Sequence, residues 1–269
     1  MPVRLETRGK LAVVTIDRPE RRNAFNEQLW LEFGEVGKQL QESIPRAVVL
    51  TGAGDKAFSA GQDVQPDNPQ IARLMSAVRD KQVEPAAEML QFIHDKLTPL
   101  FGLPVPVIAA VNGVAFGGGA EIAARCDLRV MDPEATICFS ETRLGLMPDF
   151  GGGVALTRVV GQARATDLIL TARRIHAPEA LSLGLVNRIS EPGKSVEVAV
   201  ELAEQIAANG PRAVRSALHV IRTSGSMTWD DAVRMEVDMA AELIASAECT
   251  HGITAFMTRT KPEFPDLED

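Results

Sequence analysis

The 269-residue sequence predicts an α/β fold, and three observations predict it. Short apolar segments alternate with segments that carry apolar residues at helical spacing through the first half of the chain. Two of the apolar segments lead into glycine-rich loops, and in open α/β architectures such loops border the usual ligand site. The last third of the chain is rich in alanine and shows helical spacing almost throughout.

Five apolar segments of the first half are predicted to be strands. They are residues 11–16, 47–50, 105–111, 128–130 and 136–139. The segment 47–50 is apolar at every position, which is typical of a strand buried on both faces. The prolines of the segment 105–111 lie near its start, where a strand tolerates them best.

Helical spacing begins after Asn26, whose side chain can cap a first turn. The apolar residues of this helix and of a second one are Leu29, Phe33, Val36 and Leu40, and then Met89, Phe92, Ile93 and Leu97. Residues 66–84 are polar with a weak helical pattern, so we expect an irregular, mobile segment. The histidines lack metal-binding spacing and are expected at solvated helix positions; they are His94, His176, His219 and His251.

The last third is predicted to be a set of helices with one apolar interruption at residues 185–189. The predicted helices cover residues 162–171, 178–183, 194–208, 211–222 and 229–246. We therefore predict an α/β core over residues 1–195 and a helical C-terminal region over residues 196–269. Helices that cannot bury their apolar faces alone must pack on their own core or on a neighbouring subunit.

Composition excludes several classes of protein. Lys and Arg total 28 against 36 Asp and Glu, so the net charge is −8, which argues against general nucleic-acid binding. No apolar run approaches the ~20 residues that span a bilayer, and the N-terminus shows no secretory signal. Three cysteines without CxxC spacing, Cys126, Cys138 and Cys249, indicate neither a disulfide framework nor a zinc site. A reducing, cytoplasmic location fits best.

The two glycine-rich loops are residues 57–63 and residues 117–121. Neither fits the Walker or GxGxxG pattern, so nucleotide binding is not indicated. Three glycines, Gly117 to Gly119, open a predicted helix, whose first N–H groups have no intrahelical acceptor and lie at the positive end of the helix dipole. Such an N–H is a preorganised donor for an oxyanion. The alternative is that the glycines serve only close packing.

Three acidic residues are candidates for acid–base chemistry, each with a simpler alternative. Glu121 lies in the first turn of an apolar helix, where burial would raise its pKa, although such a residue is often only a dipole partner. Glu141 follows a predicted strand, and a surface salt bridge with Arg143 is its alternative. Asp149 lies in a glycine-rich turn, where it could simply be a turn or N-cap residue.

Together these segments resemble the crotonase family, the enoyl-CoA hydratase/isomerase superfamily. The most specific matches are AGQD at residues 60–63 and GGGAE at residues 117–121, in family order between about residues 11 and 190. The resemblance implies a spiral of ββα units with a helical C-terminal trimerisation region. It also implies an acyl-CoA substrate, self-association as a homotrimer or a dimer of trimers, and neither a metal nor a redox cofactor, since coenzyme A is part of the substrate.

The family's oxyanion hole implies that the backbone N–H groups of Gln62 and Gly118 hold the thioester oxygen, with no requirement on the Gln62 side chain. By the same resemblance, Glu121 orients and deprotonates water while Glu141 protonates C2 of a 2-enoyl-CoA, which favours a hydratase. Asp149 stands where the family usually has a small residue. It favours, as an alternative, an enoyl-CoA isomerase or another CoA-enolate enzyme; a non-catalytic acyl-CoA-binding protein is the third reading.

The resemblance also implies a set of residues along the coenzyme A path. They are Arg22, Ala24, Ala60, Gln62, Asp63, Val64, Gln65, Gly118 and Lys261. Arg22 and Lys261 would meet the adenine and phosphate region, because an acidic protein needs local donors for an anionic ligand. Both could instead be ordinary solvated cations. Residues 66–84 would flank the acyl pocket.

Overall fold

The computed structural model describes residues 1–267, which contain ten strands and eleven α-helices. The strands are β1 (Val3–Arg8), β2 (Leu11–Ile16), β3 (Ala47–Gly52), β4 (Ala57–Ser59), β5 (Val107–Val111), β6 (Val114–Phe116), β7 (Leu128–Met131), β8 (Thr136–Cys138), β9 (Ile175–His176) and β10 (Arg188–Ile189). The helices are α1 (Glu27–Glu42), α2 (Pro69–Asp80), α3 (Glu84–Phe101), α4 (Gly118–Arg125), α5 (Gly152–Val160), α6 (Gln162–Thr171), α7 (Ala177–Ser182), α8 (Ser195–Ala207), α9 (Pro211–Ser224), α10 (Trp229–Ala245) and α11 (Cys249–Thr258).

The strands form two sheets that the chain visits alternately. The larger sheet has the order β1-β2-β3-β5-β7-β10, with only β1 antiparallel to its neighbour. The smaller sheet has the order β4-β6-β8-β9, parallel except at β9. Each of β3, β5 and β7 is followed at once by a strand of the smaller sheet and then by helical structure. This is the predicted spiral of ββα units, and the α/β fold class is confirmed.

Strands β3 and β5 of the larger sheet are buried at every position, as their apolar sequences predict. In β3, Val48 and Leu50 belong to the main core with α1 and α3, while Ala47 and Val49 belong to a second core. Helix α8 covers that second core. The division of the chain at residue 195 stays a prediction. Helix α8, which begins at that residue, packs directly against the larger sheet of the core.

The structure differs from the sequence analysis at several places, which include residues 66–84, β1 and α11. Residues 66–84 are not irregular, because Asn68 caps α2, Pro69 opens it, and Leu74 and Ala77 pack inward. Strand β1 was not predicted, although its apolar residues Val3 and Leu5 alternate with polar residues that are exposed. Helix α11 was not predicted either, since its apolar residues do not form one buried face.

The C-terminal helices leave much apolar surface exposed. Helix α10 has no buried residue, and its Trp229 is 81% exposed. On α11, Phe256 is 86% exposed. Within residues 1–267, none of these or the other helices is long and apolar enough to cross a membrane.

Candidate active site

The two glycine-rich loops meet beside the start of α4. Phe25 pairs with Gln62 in a parallel bridge that holds the first loop. Gly61 has φ +87°, and a Cβ there would lie 2.9 Å from the Gly118 nitrogen, so only glycine allows this approach. A Cβ on Gly119 would collide with the Ser59 carbonyl oxygen. Close packing is thus one reason for the glycines, as the simpler alternative proposed.

Where the two loops come close, each loop presents one backbone N–H group that has no acceptor. Among residues 1–267, the N–H of Gln62 and the N–H of Gly118 have no hydrogen-bond acceptor. Gly118 is the first residue of α4, where the helix itself offers its amide no partner. The predicted oxyanion donors therefore lie on adjoining segments, and both are available to a ligand.

Glu121 has a buried carboxyl that accepts hydrogen bonds from the backbone of the turn at residues 149–152. It is 1% exposed and lies in the first turn of α4. Its Oε2 accepts hydrogen bonds from the backbone N–H groups of Phe150 at 2.8 Å and Gly152 at 2.9 Å, and its Oε1 accepts one from Asp149 at 3.3 Å. Its position is therefore fixed by a second loop as well as by its own helix.

Glu141 is buried without such partners. It begins the single-turn 3₁₀ helix Glu141–Leu144 that follows β8, and among residues 1–267 neither of its carboxylate oxygens has a hydrogen-bond partner. Arg143 is exposed and makes no ion pair with it, so the surface salt-bridge reading is wrong. A Cβ placed on Gly117 would lie 3.7 Å from its Oε1, so this carboxyl lies over the entrance to α4.

The two glutamates influence each other's ionisation. Burial raises the pKa of both carboxyls, and repulsion from Glu141 raises the pKa of Glu121 further. The N–H groups of Gly152 and Phe150 oppose the rise at Glu121 by stabilising its anion. The pair therefore favours a state that holds one proton between the two carboxyls.

Asp149 is half-buried beside this pair. Burial, reinforced by the charge of Glu121, raises the pKa of Asp149 to about 6. It is not the N-cap of α5, because Gly151 holds that position.

On α3, His94 hydrogen-bonds to the Asp149 carbonyl oxygen through Nε2 at 2.8 Å. His94 is half-buried, so the expectation of a solvated histidine is wrong; no spacing in the sequence links it to the turn.

The Gln62 side chain also has a specific place. Its Oε1 accepts a hydrogen bond from Trp30 Nε1 at 3.1 Å, while its Nε2 is buried without a partner among the described residues. The Trp30 ring packs edge-on against Phe150, the residue whose N–H binds Glu121. The side chain of Gln62 is therefore held by Trp30, while the prediction that the oxyanion role needs only its backbone N–H stays a prediction. Sequence alone offered no signal for this contact, because Trp30 lies on a different element.

Comparison with known proteins decides the family. The model of the enoyl-CoA hydratase/isomerase family matches residues 6–267. The chain belongs to this family. A short-chain-enoyl-CoA hydratase of Clostridium acetobutylicum is 38% identical over 262 residues, which cover 96% of this chain and 95% of that protein. A carnitinyl-CoA dehydratase of Salmonella arizonae is 33% identical over 267 residues, which cover 97% of each chain.

Solved structures of the enoyl-CoA hydratase/isomerase family share the fold as well as the sequence. The crystal structure of an enoyl-CoA hydratase from Bacillus anthracis is similar with a TM-score of 0.87 and 32% identity. The match covers 98% of this chain and 99% of that one. The crystal structure of an enoyl-CoA hydratase from Polaromonas sp. JS666 gives a TM-score of 0.87 at 29% identity, and the match covers 98% of this chain and 99% of that one.

Most residues that the family resemblance assigns to the coenzyme A path lie in one place. The Arg22 carbonyl accepts a hydrogen bond from Ala60 N, and the Ala24 carbonyl accepts one from Arg18. Asp63 is buried and forms an ion pair with Arg18 at 3.0 Å. A cavity of about 370 Å³ adjoins them; its lining includes Arg18, Arg21, Asp63 and Asn68.

The remaining coenzyme A candidates differ in position. Val64 and Gln65 follow Asp63 and are exposed. Lys261 lines a separate cavity with Arg8, Lys10 and Arg46. Within a single chain, Lys261 therefore does not lie beside the first glycine-rich loop. Within the described residues, no group of three or more His, Cys, Asp or Glu side chains could hold a metal ion.

Proposed function

We propose that this chain is an enoyl-CoA hydratase that adds water across the C2=C3 bond of a 2-enoyl-CoA thioester. The observation that carries the proposal is the buried pair Glu121 and Glu141 beside the free N–H groups of Gln62 and Gly118. Acid–base chemistry at the carbons next to a thioester needs this combination of a proton donor, a proton acceptor and an anion site.

The thioester oxygen is held by the N–H groups of Gln62 and Gly118. Addition at C3 moves electrons onto this oxygen and gives it enolate character, so donors that lack another partner stabilise the transition state. One such donor is worth about 2.7–4 kcal/mol of barrier in a preorganised site. The helix dipole of α4 acts in the same direction.

The two glutamates divide the proton transfers. Glu121, whose anion is stabilised by three backbone N–H groups, orients water and takes its proton as the oxygen bonds to C3. Glu141, whose carboxyl lacks donors, favours its neutral form and delivers a proton to C2. The reverse sequence is dehydration. This chemistry uses no redox cofactor, and coenzyme A takes part only as the carrier of the acyl group.

Incubation of the purified protein with short, medium and long 2-enoyl-CoAs and 3-enoyl-CoAs in ¹⁸O-enriched water tests the proposal. We expect mass spectrometry to detect one labelled oxygen at C3 of the product from a 2-enoyl-CoA. Conversion of 3-enoyl-CoAs to 2-enoyl-CoAs without any label would instead show an isomerase. No conversion of any of these thioesters would refute both activities and leave an acyl-CoA-binding protein.

A Δ3,Δ2-enoyl-CoA isomerase is the second candidate, and Asp149 is the observation that favours it. Its half-buried carboxyl has a pKa raised to about 6, which suits proton transfer near neutrality. In an isomerase that uses it, Asp149→Asn abolishes conversion of a 3-enoyl-CoA while Glu121→Gln does not. The opposite result assigns the proton transfers to the glutamate pair.

We also propose that the protein self-associates as a trimer or a dimer of trimers. The exposed apolar side chains of the C-terminal helices support this, because a contiguous apolar surface is characteristic of subunit interfaces. Light scattering after gel filtration would give the mass of the assembly, and a monomer would refute the proposed self-association.

We place the enzyme in the cytoplasm, a proposal that three unpaired cysteines support.

A further inference from the structure

Arg125 is a half-buried cation that the proposed mechanism does not use. It is the last residue of α4, and its guanidinium carbon lies 4.6 Å from the centroid of the Phe101 ring. Among residues 1–267, no carboxylate forms an ion pair with it. Burial lowers the pKa of Arg125, because less water solvates the cation. A cation in this state is expected to have another function in the fold or in the site.

The hydrogen bond of Arg125 goes to the turn that holds Glu121. Arg125 Nη1 donates to the Phe150 carbonyl oxygen at 2.7 Å. The N–H of Phe150 donates to Glu121 Oε2 at 2.8 Å. Glu121 and Arg125 are four residues apart, which places them on one face of α4. Two side chains on one helix face therefore bind both backbone polar groups of Phe150.

Phe150 also contacts the candidate oxyanion donor. A Cβ on Gly118 would collide with the Phe150 ring, so the ring lies directly against the backbone of Gly118. Gly151 has φ +87°, and a Cβ there would lie 3.3 Å from Arg125 Nη1, so glycine suits this close approach. A shift of Phe150 would therefore disturb a donor to Glu121 and the packing beside the Gly118 N–H.

We propose that Arg125 is a positioning residue for the acid–base pair: it fixes Phe150, and through Phe150 the Glu121 carboxyl, and its charge favours the Glu121 anion. The inference rests on the role of Glu121 in the proposed function and deepens it. Opposite charges one helical turn apart attract each other, and a half-buried pair is only partly screened by salt. The charge of Glu121 accordingly opposes the lowering of the Arg125 pKa by burial.

The charge of Arg125 should be visible in the pH dependence of turnover. The ionisable groups that act on Glu121 are Glu141, Asp149 and Arg125, and His94 acts on Asp149. Arg125 is the permanent cation among them. Its removal should raise the apparent pKa values of the carboxyl pair, so the profile of kcat/KM against pH shifts to higher pH. We expect a shift of about 0.5–1 pH unit.

The variants Arg125→Met and Arg125→Lys test the inference, and Arg158→Met makes the matched change at an exposed position of α5. Arg125→Met should lower kcat for hydration of a 2-enoyl-CoA about tenfold and shift the pH profile. Its Kd for butanoyl-CoA, measured by calorimetry, should change by less than about twofold, because Arg125 acts on the carboxyl pair rather than on binding. Arg125→Lys keeps the charge and should keep the wild-type pH profile, as should Arg158→Met.

Hydrogen–deuterium exchange measures the same turn without turnover. The N–H groups of Phe150 and Gly152 should exchange about tenfold faster in Arg125→Met than in the wild type, with Tm measured in parallel. If Arg125→Met does not fold, Arg125→Gln, which removes the charge but keeps a polar side chain, should show the same shift of the pH profile.

Wild-type kcat and a wild-type pH profile in Arg125→Met would overturn the inference. A fall in kcat with an unchanged pH profile would also overturn it, because a purely structural role predicts that result. A wild type that hydrates no enoyl-CoA would overturn only the proposed function, since exchange at the turn is scored without substrate and still decides whether Arg125 fixes Phe150.

Discussion

At one end of helix α4 the backbone groups that the helix leaves unpaired have a side-chain partner, and at the other end they do not. At the C-terminal end, the buried guanidinium of Arg129 donates to the carbonyl oxygens of Ala123, Ala124 and Cys126. It also reaches the Leu185 carbonyl just before β10. At the N-terminal end, the Gly118 N–H has no acceptor among the described residues.

This difference separates structural polar groups from polar groups kept for a ligand. Burying a charge is tolerated where its hydrogen bonds are complete, as at Arg129. At the N-terminal end, two groups without hydrogen-bond partners among the described residues lie close together, namely the Gly118 N–H and the Glu141 carboxyl. Variants of the N-terminal end should therefore change activity, and variants of the C-terminal end should change stability.

The largest effect is expected for the glutamate pair. Glu121→Gln and Glu141→Gln should each lower kcat/KM for hydration by about 10²–10⁴-fold, because each removes a general acid or base. Stopped assays with a 2-enoyl-CoA measure this, with Tm measured in parallel. Glu134→Gln, at an exposed position after β7, is the control. A Glu141→Gln protein as active as the wild type would contradict the proposed role.

Arg129→Met should next lower the free energy of unfolding by about 3–5 kcal/mol, because several buried carbonyl groups lose their donor at once. Urea denaturation measures the change. Arg158→Met, at an exposed position of α5, should change stability by less than about 0.5 kcal/mol. If Arg129→Met reduced turnover of the folded protein without loss of stability, the two ends of α4 would not differ as described.

A pH-dependent effect is expected at Asp149, in the turn that covers the N-terminal end. Its pKa is raised to about 6 from an ordinary 3.8, so the folded protein binds the proton more tightly than the unfolded chain. The stabilisation from this proton is complete at low pH and is lost as the pH rises through 6. Asp149→Asn should therefore gain about 1–2 kcal/mol relative to the wild type at pH 8, but not at pH 4.

Urea denaturation of Asp149→Asn and the wild type across this range measures that difference. Asp55→Asn, on an exposed loop, is the control and should follow the wild type. An equal gain at pH 4 and pH 8 would show that the effect is packing rather than ionisation.

The smallest effect is expected for His94, which supports the Asp149 turn and through it Glu121. Its Nε2 faces a carbonyl oxygen and so carries the hydrogen. His94→Phe should lower kcat about five- to tenfold, the value of about 1 kcal/mol for one hydrogen bond. His94→Gln should recover most of the rate. Equal rates in His94→Phe and the wild type would show that the turn holds itself, and His219→Phe is the control.

Much of the fold could be predicted from local pattern. The apolar runs at residues 47–50 and 105–111 predicted strands of the larger sheet, and Asn26 does cap α1 with its side chain. Helix α2 was missed because its signals are an N-cap and two inward residues rather than a full apolar face. The family motifs predicted the spiral, whereas periodicity alone predicted only an α/β class.

The candidate site was predicted less evenly. The glycine loops and both glutamates were identified from sequence, and the structure brings them together. The contacts of His94 with Asp149 and of Trp30 with Gln62 span 55 and 32 residues, so no local pattern could reveal them.

The sequence by itself determined the class of fold, the family, and the residue types available for chemistry, because these follow from periodicity and from motifs of a few adjacent residues. Only the tertiary structure decided which carboxyl has donors and which has none, and which histidine belongs to the site. Those properties depend on burial and on partners from distant elements. A carboxyl's pKa and a donor's availability are set by what surrounds them in space, and neighbours in sequence supply only a small part of that environment.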